Sequence, residues 1–241
     1  MKSARNAVII SGIISILLVI LISPASAASS STSSKMNSMS HATKMCFGKP
    51  TQNSDWSNCD MRYMNLSFKD LSGINLSGAN LQGMRLYATN LSGANLAGAN
   101  FQSANLNFAN LSEANLLGAN LKHIDFYHAN LSYANLQNVD FTGSRFPTVN
   151  FQGANLARVN FASTDTELCN FQGANLKNAN FYQANMFGDD FSGADLTNAN
   201  LSNANFGGGG SLAGANLKGT NVHGLDTAAV DLSCYGNTIC Q

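Results

Sequence analysis

Four histidines, five cysteines and a small group of aspartates are the residues in this chain with the chemistry to bind metals, form disulfides or attack a substrate. Their spacing argues against most of that chemistry. His41 lies in a polar stretch and His223 near the C-terminal end, while His123 and His128 are only five residues apart. A zinc site needs its ligands convergent on one point, and in a chain that turns a corner every five residues these two point in different directions. Asp189, Asp190 and Asp195 are close enough in sequence to take a cation as hard oxygen ligands; the alternative is a local distortion near Met186. No nucleophile, base and orienting group fall within reach of one another, so neither an enzyme, a cofactor nor a metal is expected.

The cysteines read differently. Lys2 and Arg5 precede an apolar stretch, Ala7 to Ile22, that ends at the small residues Ala25-Ser26-Ala27. This is the pattern of an export signal. The stretch is short for a span of about 20 residues, although an uncleaved anchor is the alternative. Export, to a periplasm or to the outside, puts the cysteines where disulfides persist. Pairing nearest neighbours joins Cys46 to Cys59 and Cys234 to Cys240, fastening both ends of the chain and leaving Cys169 over. Without Lys2 and Arg5, 11 basic residues face 13 acidic ones, a formal charge of −2. A nucleic-acid binder needs clustered Lys and Arg, and a mimic of nucleic acid needs a strongly acidic surface. Neither is present, and once the signal is removed no stable membrane insertion is expected.

The elements that position these residues come from one dominant period. Of the 29 positions 66, 71, 76 through 206, only Thr166 and Met186 are neither Leu nor Phe. Two residues before each stands a small residue, Ala at 16 of the 29 sites, and between them is mostly Asn or Asp. Five fits neither a helix, which turns about 100° per residue, nor a straight strand, in which odd spacings alternate faces. All the large residues reach one core only if the chain turns a corner once per unit. The core then takes one large and one small side chain per unit, because residues two apart on an extended piece face the same way. Gly two residues after the large position, as at 73, 78, 83, 93 and 98, suits a corner of unusual φ.

The unit Ala-Asn-Leu-x-x, clean in Ala94-Asn95-Leu96-Ala97-Gly98-Ala99-Asn100-Phe101, resembles the pentapeptide-repeat family over residues 62 to 232. That resemblance implies an all-β fold, a right-handed quadrilateral β-solenoid with four five-residue units per coil. It also raises inhibition of a DNA topoisomerase by DNA mimicry, which some members perform and which the export signal and near-neutral charge here oppose. Independent support for 20 residues per coil comes from columns. Positions 76, 96, 116, 136, 156, 176 and 196 are all Leu, and Phe recurs at 141, 161, 181 and at 151, 171, 191, where stacked rings are expected. Arg85, Asp125, Arg145 and Asp165 share another column and should form a ladder of opposite charges. The six Asn-Leu-Ser sequons follow from repeat composition and carry no reading of their own.

The expected organisation is a signal peptide over 1–27, a Ser-rich disordered spacer over 28–45, a disulfide-closed cap over 46–61 with Phe47, Pro50 and Trp56 as its lid, the solenoid over 62–206, a Gly-rich insertion and degenerate repeats over 207–232, and a C-terminal cap over 233–241. Thr166 in a core position predicts a bulge or an exposed corner. Gly207 to Gly210 adds one residue to the count. Phe68, Tyr87, Phe108, Tyr127, His128 and Phe187 fall on one side, joined by Leu168 if the register survives, while most other outward positions are small and polar. A row of exposed aromatics is expected to form a binding surface for a protein, a glycan or a second copy of the chain, the alternative being simple local packing of the rings.

Overall fold

The computed structural model describes Cys46 and residues 48–226, all within the unit Ala42–Gln241. The expected signal peptide and spacer, Phe47 and the Cys234–Cys240 closure lie outside the described residues.

From residue 51 the backbone repeats one pattern every five residues: a turn, then one bridge residue. Every bridge is parallel and joins residues 20 apart, from Asp55 with Asn75 to Asn185 with Asn205. The chain is therefore a β-solenoid with 20 residues per coil, as the aromatic and Leu columns required. The unit Asn75 to Ala79 shows why five residues suffice, because each of its five N–H groups has a partner. Asn75, Leu76 and Gly78 donate to Ser54, Asn95 and Ala97 carbonyls of neighbouring coils at 2.9, 2.7 and 2.8 Å, and Ala79 closes the turn onto the Leu76 carbonyl at 3.0 Å. The fifth donor, Ser77 N–H, goes to Asn75 Oδ1 at 3.2 Å. The Asn or Asp of each unit is thus the acceptor that completes the backbone account. Its amide also donates to the previous coil, so Asn95 bonds Asn75, Asn115 bonds Asn95 and Asn135 bonds Asn115, at 3.1 to 3.4 Å.

The third residue of each turn has positive φ, as in a type II turn. Glycine is free to adopt it, yet Phe68, Phe108, His123, His128 and Tyr133 adopt it too, against a steric cost for L-residues. Inside, the Leu and Phe columns are fully buried. Phe141, Phe161 and Phe181 stack at 5.0 and 4.8 Å, and Phe151, Phe171 and Phe191 at 4.9 and 4.6 Å.

Three features depart from, or refine, the sequence expectation. The coil pattern begins at residue 51, ahead of the expected boundary at 62, since Trp56 fills the large inward position and Cys59 the small one. Cys59 is joined to Cys46 as expected, closing 13 residues of chain. Trp56 is therefore the first core side chain and not a lid laid over it. Thr166, expected to force a bulge or an exposed corner, does neither: it is fully buried and its N–H reaches the Asn185 carbonyl at 2.9 Å. Its hydroxyl has found a polar partner inside, described below. At Gly207 to Gly210 the bridge spacing does change from 20 to 21, beginning with Asp190 and Ser211. Gly210 lies so close to the Asp189 carbonyl that a Cβ there would sit 2.8 Å from it. Leu212 and Leu217 then resume the core.

Candidate functional site

Two places in the solenoid depart from its repetitive chemistry. One is an edge of the rod, formed by the turns that follow the core residues 66, 86, 106, 126, 146, 166 and 186. The other is a polar cluster inside the core beneath it.

The edge carries the aromatic row. Phe68 packs on Tyr87 with ring centroids 5.4 Å apart, Tyr87 on Phe108 at 5.2 Å, and Phe108 on both Tyr127 and His128 at 5.5 and 5.2 Å. Tyr127 and His128 touch at 4.1 Å. These five expected site residues form one continuous ladder, and their exposed rings range from 37 % to 74 % accessible at Tyr87 and Phe68. Alternation builds it: one coil presents its ring from the second turn position, the next from the third, so rings about 4.8 Å apart along the rod interleave instead of colliding. Phe187 lies on the same edge but outside the ladder. Between it and Tyr127 come Pro147 and the exposed Leu168, which lies over Gly188, while Phe187 itself covers Gly208.

Charge flanks the rings on the face that leads into this edge. Arg145 grips Asp125 through Nε and Nη2, both at 3.0 Å. Asp165 is in the same column and stabilises the Arg145 charge without pairing to it. The expected ladder is thus one bidentate pair with a carboxylate beside it, while Arg85 forms no ion pair among the described residues. These groups line a groove of about 340 Å³ with Asn107, Tyr127, Pro147 and Glu167. Pro147 was not singled out in the sequence, yet it was legible there. Arg145 occupies the Asn position and offers no acceptor to the residue two further on, and a proline needs none. Where Asp125 is occupied by Arg145, the Tyr127 N–H turns instead to Asn107 Oδ1 at 2.9 Å.

Beneath the edge, Asp189 is completely buried at a small inward position. Its Oδ1 accepts the Cys169 N–H at 2.7 Å and its Oδ2 meets the Thr166 hydroxyl at 2.7 Å, which also reaches the Asn185 carbonyl at 3.1 Å. Burial pushes the Asp189 carboxyl well above the usual range. The Thr166 hydroxyl and the Cys169 N–H oppose that shift, and the charges of Asp165 and Glu167 add to it. Toward an ionised carboxylate the Thr166 hydroxyl would donate to Oδ2; with the acid neutral the same contacts close as a relay, Oδ2–H to Thr166 Oγ1 and the Thr166 hydrogen to the Asn185 carbonyl, while Oδ1 keeps the Cys169 N–H. Thr166 and Asp189 are therefore one exchange, a hydroxyl in the large position answered by a carboxyl in the small position of the next coil.

Cys169 is free and buried, its thiol donating to the Phe146 carbonyl at 2.7 Å. Burial raises it well above the ordinary thiol range, opposite to what a nucleophile needs. Thr89 and Ser144 place their hydroxyls the same way, on carbonyls 23 residues back. The three aspartates of the sequence do not converge. Asp190 bonds Gln172 and Ser192, whereas Asp195 pairs with Lys177 and Thr197 on the next face. His123 lies over Gly143 on a different edge from His128, which meets Thr148 Oγ1 at 2.6 Å. No three His, Cys, Asp or Glu among the described residues are placed to hold a metal ion.

Sequence models of pentapeptide repeats match residues 54–147 in overlapping segments and, as a second model, residues 169–216. No curated protein sequence matches significantly. Among solved structures the chain is similar to HetL, a pentapeptide-repeat protein involved in heterocyst differentiation regulation from Nostoc sp. strain PCC 7120, at 27 % identity and TM-score 0.30, covering 77 % of this chain and 90 % of that one. QnrB1, a plasmid-mediated fluoroquinolone resistance protein, is 20 % identical at TM-score 0.45, covering 72 % and 94 %. A pentapeptide-repeat protein of the Arabidopsis thaliana thylakoid lumen is 28 % identical at TM-score 0.27, covering 45 % and 65 %.

Proposed function

From the premise that this chain belongs to the pentapeptide-repeat family, we propose that it is an exported, non-catalytic interaction protein whose working surface is the aromatic edge of a right-handed, four-sided solenoid. The observation that carries this reading is the ladder of Phe68, Tyr87, Phe108, Tyr127 and His128, five rings in mutual contact and open to solvent. Exposed aromatic rings give large contact area at low entropic cost and are enriched among interface anchors. Export is supported by the sequence of the first 27 residues and agrees with the disulfide between Cys46 and Cys59. Mimicry of DNA draws no support from the charge, which is nearly balanced. The triple substitution Tyr87→Ser, Phe108→Ser, Tyr127→Ser tests the reading. It should preserve the circular dichroism spectrum and abolish association with a partner or a second copy. Unchanged association with the fold intact would refute the aromatic edge as the working surface.

A further inference from the structure

The edge that the proposed function assigns to binding is arranged almost symmetrically about its own middle, and resting on that reading we infer that it binds a second copy of this chain, antiparallel, with Tyr127 at the two-fold axis. Along a solenoid of 20 residues per coil and coils about 4.8 Å apart, each residue advances about 0.24 Å along the rod. Running a second copy in the opposite direction about Tyr127 sets Phe68 against Phe187 and Phe108 against Pro147. It also sets Arg85 against Glu167 and Asp165, with offsets of about 0.5 and 1 Å along the axis. A two-fold axis perpendicular to the rods keeps each flank facing its own equivalent, so the charged face of one copy meets the charged face of the other. Arg85 is exposed and joins no ion pair within the chain among the described residues, and Glu167, two residues beyond Asp165 of the Arg85 column, is exposed four coils away. Each end of the edge thus lacks the charge that the opposite end supplies. A parallel arrangement would set that charged face against the other flank, which carries Lys69, Asp70 and Asp190 near its ends but Asn90 and Asn170 level with Arg85 and Glu167, and would leave Arg85 and Glu167 unmatched. This is the self-complementarity an isologous contact requires.

The contact would run from Phe68 to Phe187, about 29 Å at the same rise per residue. Two narrow rods touching over that length bury an area at the small end of specific interfaces, below about 1,200 Å² in total, which corresponds to a weak and concentration-dependent dimer. The groove lined by Asn107, Asp125, Tyr127, Arg145, Pro147, Asp165 and Glu167 then lies at and beside the centre of the contact, where the rings of the second copy can enter it.

Charge reversal supplies the test, because Arg85 and Glu167 are too far apart in one chain to meet, about 20 Å along the rod. Sedimentation equilibrium on the oxidised protein should show a dimer whose dissociation constant rises about tenfold in Arg85→Glu and in Glu167→Arg, since each places like charges together twice per dimer. The double variant should regain the wild-type constant within about threefold. Thermal melting checks that all three fold. A wild type that remains monomeric at the highest concentrations, or a double variant no better than the singles, overturns the inference. The proposed function fails separately: if the wild type is monomeric but captures a partner that the triple aromatic variant loses, the edge is still a binding surface and only its occupant was wrong.

Discussion

Replacing Asp189 by Asn should make stability less dependent on pH, and the structure gives both the sign and the ceiling of the effect. Asparagine has nearly the same shape. Its Oδ1 can accept the Cys169 N–H and its Nδ2 can donate to Thr166 Oγ1, the two contacts made at 2.7 Å. What the substitution removes is the proton. In the folded protein the Asp189 carboxyl is held neutral by burial to a pH well above the ordinary range, whereas in the unfolded chain it ionises near pH 4, roughly as free Asp does. Above that point the unfolded state binds fewer protons than the folded one, so wild-type stability is greatest below the unfolded value and declines as pH rises toward the folded one. For one proton the slope approaches 2.303RT, about 1.4 kcal/mol per pH unit. Asp60, Asp70, Asp140, Asp190 and Asp195 have lowered values and act in the opposite direction, but they are common to both proteins and cancel in the difference. Urea denaturation of the two proteins at about pH 4.5, 6 and 7.5 measures that difference. The variant should gain on the wild type at each step upward. If it instead loses ground as pH rises, Asp189 is an anion in the fold, and the relay from Asp189 through Thr166 to the Asn185 carbonyl is wrong.

Two other outcomes follow from the core and the cysteines. Leu116 is fully buried in the all-Leu column, so Leu116→Ala should cost about 2 to 5 kcal/mol in chemical denaturation, and a loss no larger than that of Ser112→Ala would contradict its inward placement. Peptide mapping without reduction should join Cys46 to Cys59 and leave Cys169 unmodified by thiol reagents until the protein is unfolded. Any labelling of Cys169 in the native state would contradict its raised thiol pKa and its bond to the Phe146 carbonyl.

The period of five, the one-large, one-small core and the 20-residue coil were all legible in the sequence, because each is a statement about which side chains share a direction. Direction follows from spacing alone once the chain must hide a Leu or Phe every fifth residue. The same logic placed Phe68, Tyr87, Phe108, Tyr127 and His128 on one edge and predicted the extra residue at Gly207 to Gly210. Where the coils begin was harder to read, since Trp56 and Cys59 do the work of Leu and Ala in residues that do not resemble the repeat. Thr166 was misread for a different reason. A hydroxyl in a core position is unfavourable only if nothing answers it, and its answer, Asp189, stands 23 residues later on the next coil. The alternation of rings that turns six exposed aromatics into a five-ring ladder, the grip of Arg145 on Asp125 and the neutral carboxyl in the core are likewise decided between coils. Hydrogen bonds and ring contacts depend on distance and angle between side chains that the sequence only lists in order, and it is the stacking of one coil on the next that fixes both.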